Sequence, residues 1–513
     1  MIRSLLTVSS GTLASRLLGF LRDSLIATLL GTGVFADAFL VAFQSVNVVR
    51  RLLTEGALNA ALVPAWIRLR DTEGTVAAAE FAGRVIGTVG VAVLAATALI
   101  GLLMPVVVAL LAPGFAGHET LQIAVNNARL MLPYLAFAAP STVLLALASA
   151  QGRFALTAFS PLLFNIALIA VMIVLIFTRQ DASFVAPMLA ATVGIAGFLQ
   201  LAILVLRRER TMAAPLRVSF DAKMRGFLAR ALPGMVASST PQLLMVAGAI
   251  IASQTPSAVS WLYFANRLIE LPLGIAAVAM GTVLIPELTR AVRGNDESSV
   301  AHAESRAVEL AVGLALPATL GLITLSTPIV RLLFEHGAFA ETDTAATSRA
   351  LILLALGLPA QVLVKSISPA FFAREDTAGP LLATLKACVV AIVCAVLFNH
   401  FFGPSGIAAA IALAGWSNAA SLVRRAVATF GFSLDPVARR KLPRIVAAAL
   451  TMGALLWLAA SFTAPFEHRL MQALTLFGLI GLAILAYAVL LTALGVVNPR
   501  DVAAIGRNRG QHA

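Results

Sequence analysis

Apolar runs of about 20 residues recur along almost the whole chain, cut by Gly, Pro and charged clusters, and each is long enough to cross a hydrocarbon layer as a helix. About fourteen spans can be read this way. They lie near 5–30, 36–66, 82–112, 122–150, 158–178, 184–206, 228–253, 257–288, 306–334, 346–372, 380–401, 406–428, 444–463 and 470–496. No aqueous loop is long enough for a separate catalytic domain. The pattern predicts an all-α polytopic membrane protein.

Some of these spans carry charges that lipid rejects. The first holds Ser15, Arg16, Arg22 and Asp23, with Asp37 following. An arginine at the centre of a span costs roughly 2.5 to 3.5 kcal/mol on insertion scales, so such residues must face protein or a wet cavity. Ser15 and Arg22 are seven residues apart, as are Arg16 and Asp23, which places them on two adjacent helical stripes. In the second span Gln44, Asn47, Arg51, Glu55 and Asn59 form another stripe with Arg50 beside it, and Arg51 and Glu55 can pair at i, i+4. The eighth groups Asn266, Arg267 and Glu270 just before Pro272. These charges read either as paired locks between helices or as a binding surface. Because arginines outnumber the carboxylates across these spans, the surplus points to an anionic ligand, and a guanidinium suits phosphate because its planar donors engage two oxygens at once. Lys365 is either a further contributor or a lysine snorkelling at a helix end. Asn165 either lines the same cavity or bonds one helix to another.

Composition supports the membrane reading, since 60% of the 513 residues are hydrophobic and 12% charged, with a mean hydropathy of +0.94. Soluble domains are about 45 to 50% apolar. The net charge of +13 falls in alternate short loops, as at Arg68 and Arg70, the segment 207–225, Arg290 and Arg293, and Arg439 to Arg444, while the other loops hold only Arg179 and Arg469. That alternation marks the basic side, and both termini, as cytoplasmic and argues against nucleic-acid binding. The N-terminal run continues through Arg16 and Arg22, so it reads as an uncleaved first helix. Cys388 and Cys394 lie six apart in one span and imply no disulfide.

An internal repeat is visible at an offset of about 222 residues. ADAFLVAFQ at 36–44 falls on AVSWLYFAN at 258–266, Pro64 on Pro286, MPVVVALLAPGF on TPIVRLLFEHGAF, Leu132-Pro133 on Leu358-Pro359, and FSPLLFNIALIAV on AGPLLATLKACVV. Six helices return a chain to its starting side, so the copies are parallel. The expected architecture is two pseudo-symmetric six-helix lobes, 1–215 and 216–430, around a central cationic cavity, with 431–513 adding two helices and a cytoplasmic tail. There is no P-loop, no H-E-x-x-H and no D-x-D in a loop, and the six histidines fall in predicted loops or the tail. No enzyme chemistry, metal or cofactor is indicated.

The runs SRLLGFLRDSLIATLLGTGVFADAFLVAF, NVVRRLLTEGALNAALVP, SWLYFANRLIELPLG and GTVLIPEL resemble the MurJ (MviN) lipid II flippases of the multidrug/oligosaccharidyl-lipid/polysaccharide exporter superfamily. The resemblance implies a transporter that moves lipid II, a polyprenyl-diphosphate-linked peptidoglycan precursor, to the outer leaflet of the bacterial inner membrane by alternating access. Membrane lipids and cell-wall synthesis or division proteins are the implied partners. It assigns functional roles to Arg16, Arg22, Asp23, Asp37, Arg50 and Arg267, with Ser15, Glu55 and Asn165 as further cavity residues; Arg51, Glu270 and Lys365 join the gating and coupling set. Where many members carry Asp before the eighth-helix arginine, this chain has Asn266. Some members use sodium, but here the eleventh span has Lys386 and no carboxylate, so sodium coupling is not expected. The alternative is an exporter of another polyprenyl-linked oligosaccharide, or of drugs, in the same superfamily.

Overall fold

The computed structural model describes residues 2–54, 57–206, 216–222, 224–229, 247–280, 290–291, 294, 297–374, 376, 378–463 and 468–497. Among them every element is helical. Among the described residues nine helices are long and apolar enough to cross a membrane, and a bent pair over Glu341–Ala355 and Leu358–Phe372 counts as a tenth if it is one span. Three more helices, α1 (Ile2–Leu30), α2 (Val34–Thr54) and α9 (Ala258–Ala279), are 29, 21 and 22 residues long and carry the intramembrane charges. Most of the span expected near 228–253 lies outside the described residues.

The chain divides into two compact units: Met1–Ser260 with His336–Ala340, and Trp261–Glu335 with Glu341–Ala513. The repeat expected from sequence appears as matching element lengths. In the first unit α3 (Ala57–Leu102) stops at Leu103, and α4 (Met104–Leu111), α5 (Glu119–Met131) and α6 (Pro133–Ala150) follow. In the second, α10 (Glu297–Thr324) stops at Leu325, and α11 (Ser326–Phe334), α12 (Glu341–Ala355) and α13 (Leu358–Phe372) follow. The two breaks are 222 residues apart (325 minus 103). Next come α7 (Phe154–Thr178) and α8 (Ala182–Leu206) in one copy, α14 (Ala378–Phe402) and α15 (Pro404–Phe430) in the other. Prolines at the start of α6 and α13 suit the helix start, where the missing N–H would have no intrahelical partner. The second unit adds α16 (Pro436–Ser461) and α17 (Arg469–Ala493).

Packing follows side-chain size, as expected where lipid offers no hydrophobic drive between helices. On α14 Ala383, Ala387, Ala391 and Ala395 recur every four residues and are buried, whereas Leu382, Leu385, Val389 and Val396 are exposed toward the hydrocarbon. The core of the first unit gathers Leu62, Phe81, Val85, Leu147, Met224 and Phe227 from α3, α6 and the segment after residue 216. That segment is strapped to α3: Arg84 meets Asp221 at 2.6 Å, and the Thr88 hydroxyl donates to the Ser219 carbonyl at 3.1 Å. The backbone of Arg217 comes so close to Gly87 that a Cβ there would lie 2.5 Å from its carbonyl oxygen. These contacts tie residues 216–222 and 224–229 to the first unit; the repeat boundary near 215 is a separate property of the sequence.

Candidate functional site

Arg22 sits on α1 and is 8% exposed. Its Nε and Nη2 donate to Asp23 Oδ1 at 2.9 and 2.6 Å, and Nη1 donates to Asn165 Oδ1 on α7 at 3.1 Å. The guanidinium carbon lies 5.0 Å from the Phe43 ring centroid and 5.9 Å from that of Phe164. Asn165 in turn donates to the Ser15 carbonyl at 3.3 Å. Three helices therefore fix one guanidinium by charge, hydrogen bonds and aromatic faces. Of its five N–H groups three are engaged by these contacts, and two have no partner among the described residues.

The sequence spacing aligned Asp23 with Arg16 on one stripe, but in the structure Asp23 pairs with its neighbour Arg22 and Arg16 is exposed. The reason is rotational: α7 packs along α1, and its Asn165 holds the Arg22 guanidinium on that face beside Asp23. Arg50 is half-buried on α2, and its Nε donates to Asn47 at 3.2 Å, a neutral partner that leaves its charge uncompensated by that bond. The side chain of Arg51 and the whole of Glu55 lie outside the described residues.

Asp37 lies in the first turn of α2 and is 2% exposed. Its Oδ2 accepts from the Ser257 N–H at 2.8 Å, and its Oδ1 accepts from the Ser260 N–H at 2.9 Å and from the Ser260 hydroxyl. Ser257 precedes α9 with φ 64°. Asp37 thus satisfies amide groups at a helix N-terminus, where a carboxylate is favoured both by hydrogen bonding and by the helix dipole. The sequence showed Asp37 as a charge near a helix end; its partners, more than 200 residues away, carried no local signal.

In the second unit Arg267 Nη1 donates to Glu270 at 2.6 Å, and Asn266 Nδ2 reaches the same carboxylate at 3.5 Å, a weak contact. Pro272 is inside α9, just beyond them. Lys365 is exposed on α13. Lys386 is exposed on α14, whereas Thr384, two residues away, is buried and receives Asn418 Nδ2 at 3.4 Å. The ammonium and that hydroxyl therefore point to different sides of the helix. Among the described residues no three His, Cys, Asp or Glu side chains group as metal ligands.

Charged groups held inside a bundle of membrane-crossing helices define an integral membrane protein with a polar interior. The family described as lipid II flippase MurJ matches residues 26–477. The chain is 37% identical over 498 residues to a probable lipid II flippase MurJ of Rhizobium meliloti (strain 1021), covering 95% of this chain and 92% of that protein. To the corresponding Rhizobium tropici protein it is 34% identical over 517 residues, covering 99% and 96%. Its fold resembles that of a lipid II flippase MurJ solved in an inward closed conformation, with TM-score 0.79, 24% identity, and 97% and 99% of the two chains covered. An inward-facing multidrug resistance MATE transporter of the MOP superfamily shares the fold at TM-score 0.66 and 17% identity, covering 84% and 95%. The chain belongs to the lipid II flippase MurJ family, a family of transporters rather than enzymes.

Proposed function

We propose that this protein carries lipid II from the cytoplasmic to the outer leaflet of the inner membrane by alternating access, with both termini in the cytoplasm. Arg22 is the observation that carries the reading: a guanidinium held rigidly by Asp23, Asn165 and two rings keeps two N–H donors for a phosphate oxygen pair. Arg16, Arg50 and Arg267 supply further positive charge for the diphosphate, and Ser15 and Asn165 shape its surroundings. Asp23, Asp37, Arg51, Glu55, Glu270 and Lys365 serve gating and coupling. Residues 1–215 and 216–430 act as the two repeat lobes, with 431–513 outside the repeat.

No bond to the substrate is made or broken. Energy comes from membrane potential or a proton gradient, a potential of 100 mV being worth about 2.3 kcal/mol per charge moved. A cationic drug is a poor fit to a surface of arginines, which separates this reading from drug export. The test is translocation of lipid II by the purified protein in proteoliposomes: transfer that depends on the protein supports the proposal, and transfer equal to protein-free vesicles rejects it.

A further inference from the structure

A row of aromatic rings runs past the Arg22 guanidinium and ends in α6. Phe39 and Phe43 of α2 stack with centroids 5.8 Å apart, Phe43 meets Phe164 of α7 at 6.5 Å, and Phe164 meets Tyr134 of α6 at 5.2 Å. Arg22 lies over the two middle rings, those of Phe43 and Phe164. Tyr134 alone in the row ends in a hydroxyl. It stands in the first turn of α6, directly after Pro133, near the middle of the membrane span Glu119–Ala150.

Packing fixes this ring closely. A Cβ on Gly197 of α8 would lie 2.7 Å from Tyr134 Cδ2 and 2.9 Å from its Cα, so α8 can come this near only as glycine. One turn earlier, a Cβ on Gly194 would lie 2.7 Å from the Leu130 carbonyl oxygen. With α8 behind it and Phe164 against it, the ring has little room to turn. Tyr134 is 7% exposed, and its hydroxyl makes no hydrogen bond among the described residues, yet the oxygen is not one of the fully enclosed polar atoms. Ring packing alone is satisfied by phenylalanine, whereas a buried phenol O–H ordinarily finds a partner, and leaving it unpaired costs stability. The positive charges of Arg50 and Arg22 both act on this hydroxyl.

We propose that Tyr134 is a substrate-binding residue whose phenol O–H donates to an oxygen of the diphosphate that Arg22 and Arg50 attract. The proposal rests on the reading of this protein as a lipid II carrier and adds a neutral donor to the arginines of the same site. Charge draws the anion in from any direction, whereas an O–H donor held at the end of a packed ring fixes where one oxygen sits. A hydrogen bond from a hydroxyl to an anionic oxygen is short and about twice as strong as one between neutral groups. It also pairs a hydroxyl that the protein itself leaves unpaired, so no internal bond is given up on binding.

The test uses the full chain in detergent, with Tyr134→Phe, which keeps the ring and removes only the hydroxyl, and Tyr134→Leu, which removes both. Equilibrium titration measures the binding of lipid II and of undecaprenyl diphosphate, which carries the diphosphate without sugars or peptide, and the unfolding midpoint is read on the same samples. Tyr134→Phe should weaken both ligands by about tenfold, the size of one hydrogen bond to a charged group, with its midpoint unchanged or raised. Tyr134→Leu should lose at least as much binding and lose stability as well. Lipid II binding that Tyr134→Phe leaves unchanged overturns the proposal and leaves the transport reading standing. A loss seen with lipid II but not with undecaprenyl diphosphate also overturns it, since the hydroxyl then meets another part of the head group, and so does a loss that comes with a lowered midpoint in Tyr134→Phe. Binding of undecaprenyl diphosphate that needs the Tyr134 hydroxyl, with no binding of lipid II, would support the contact and reject lipid II as the cargo. An unsubstituted chain that binds neither ligand rejects both.

Discussion

Arg22→Ala does not simply remove a buried positive charge, because it strips Asp23, 0% exposed, of its guanidinium. Breaking one side of a buried ion pair costs about 3 to 5 kcal/mol. Losing the faces of Phe43 and Phe164 adds about 1 to 2 kcal/mol. The single variant should therefore lose both stability and transport, a result that a purely structural lock would give as well. The decisive variant replaces both partners with apolar residues, Arg22→Met with Asp23→Leu. Exchanging a buried pair for hydrophobic side chains of similar size is neutral or stabilising by up to about 4 kcal/mol, so most of the lost stability should return. Transport should stay at least about tenfold down, since the phosphate donors are gone. Unfolding in detergent and lipid II transfer in proteoliposomes measure the two quantities on one preparation. A double variant that is stable and flips at the unsubstituted rate would refute a ligand role for Arg22. A single variant that loses under about 1 kcal/mol would refute the claim that Arg22 and Asp23 form a desolvated pair.

Other expectations follow from particular contacts. Asp37→Ala should cost about 2 to 3 kcal/mol by leaving the Ser257 and Ser260 amides unpaired, and Ser260→Ala only about 1 kcal/mol, as read from denaturation midpoints. Gly87→Ala should loosen the 216–221 segment, seen as faster amide exchange there, while Gly90→Ala on the same helix, with open space around it, should be neutral or stabilising by about 0.5 to 1 kcal/mol. At the start of α16, the Ala438 amide donating to Asp435 is the main force holding its carboxyl below the usual carboxylate range, helped by His302 against the opposing effect of burial. A depressed folded-state value means the cap contributes fully above the unfolded value of about 3.9 and is lost as pH falls through the folded one. The protection of amides at residues 437–440, taken relative to their intrinsic exchange rates at each pH, should fall on acidification below about pH 4, and less so in Asp435→Ala, where the cap is already absent. Replacing sodium by choline at fixed pH and potential should leave lipid II transfer unchanged; a large fall in rate would locate a sodium site that the carboxylate-free α14 does not provide.

Much of this architecture is written in one dimension. Length and hydropathy define membrane helices because a span must be about 20 apolar residues and must satisfy its own backbone, and the repeat at 222 residues shows itself again in the paired breaks at Leu103 and Leu325. Charge inside a span is equally legible, since lipid makes Arg22, Asp23 and Arg267 too costly without a partner. What spacing could not decide is which partner each charge takes. Helical stripes put Asp23 with Arg16, but Asn165, 143 residues from Arg22, and two aromatic rings turn Arg22 toward Asp23. Asp37 read as a charge near a helix end, and only the fold brought it the amides of Ser257 and Ser260. Periodicity is a property of one helix, whereas the partner of a buried polar group is set by whichever helix packs across from it.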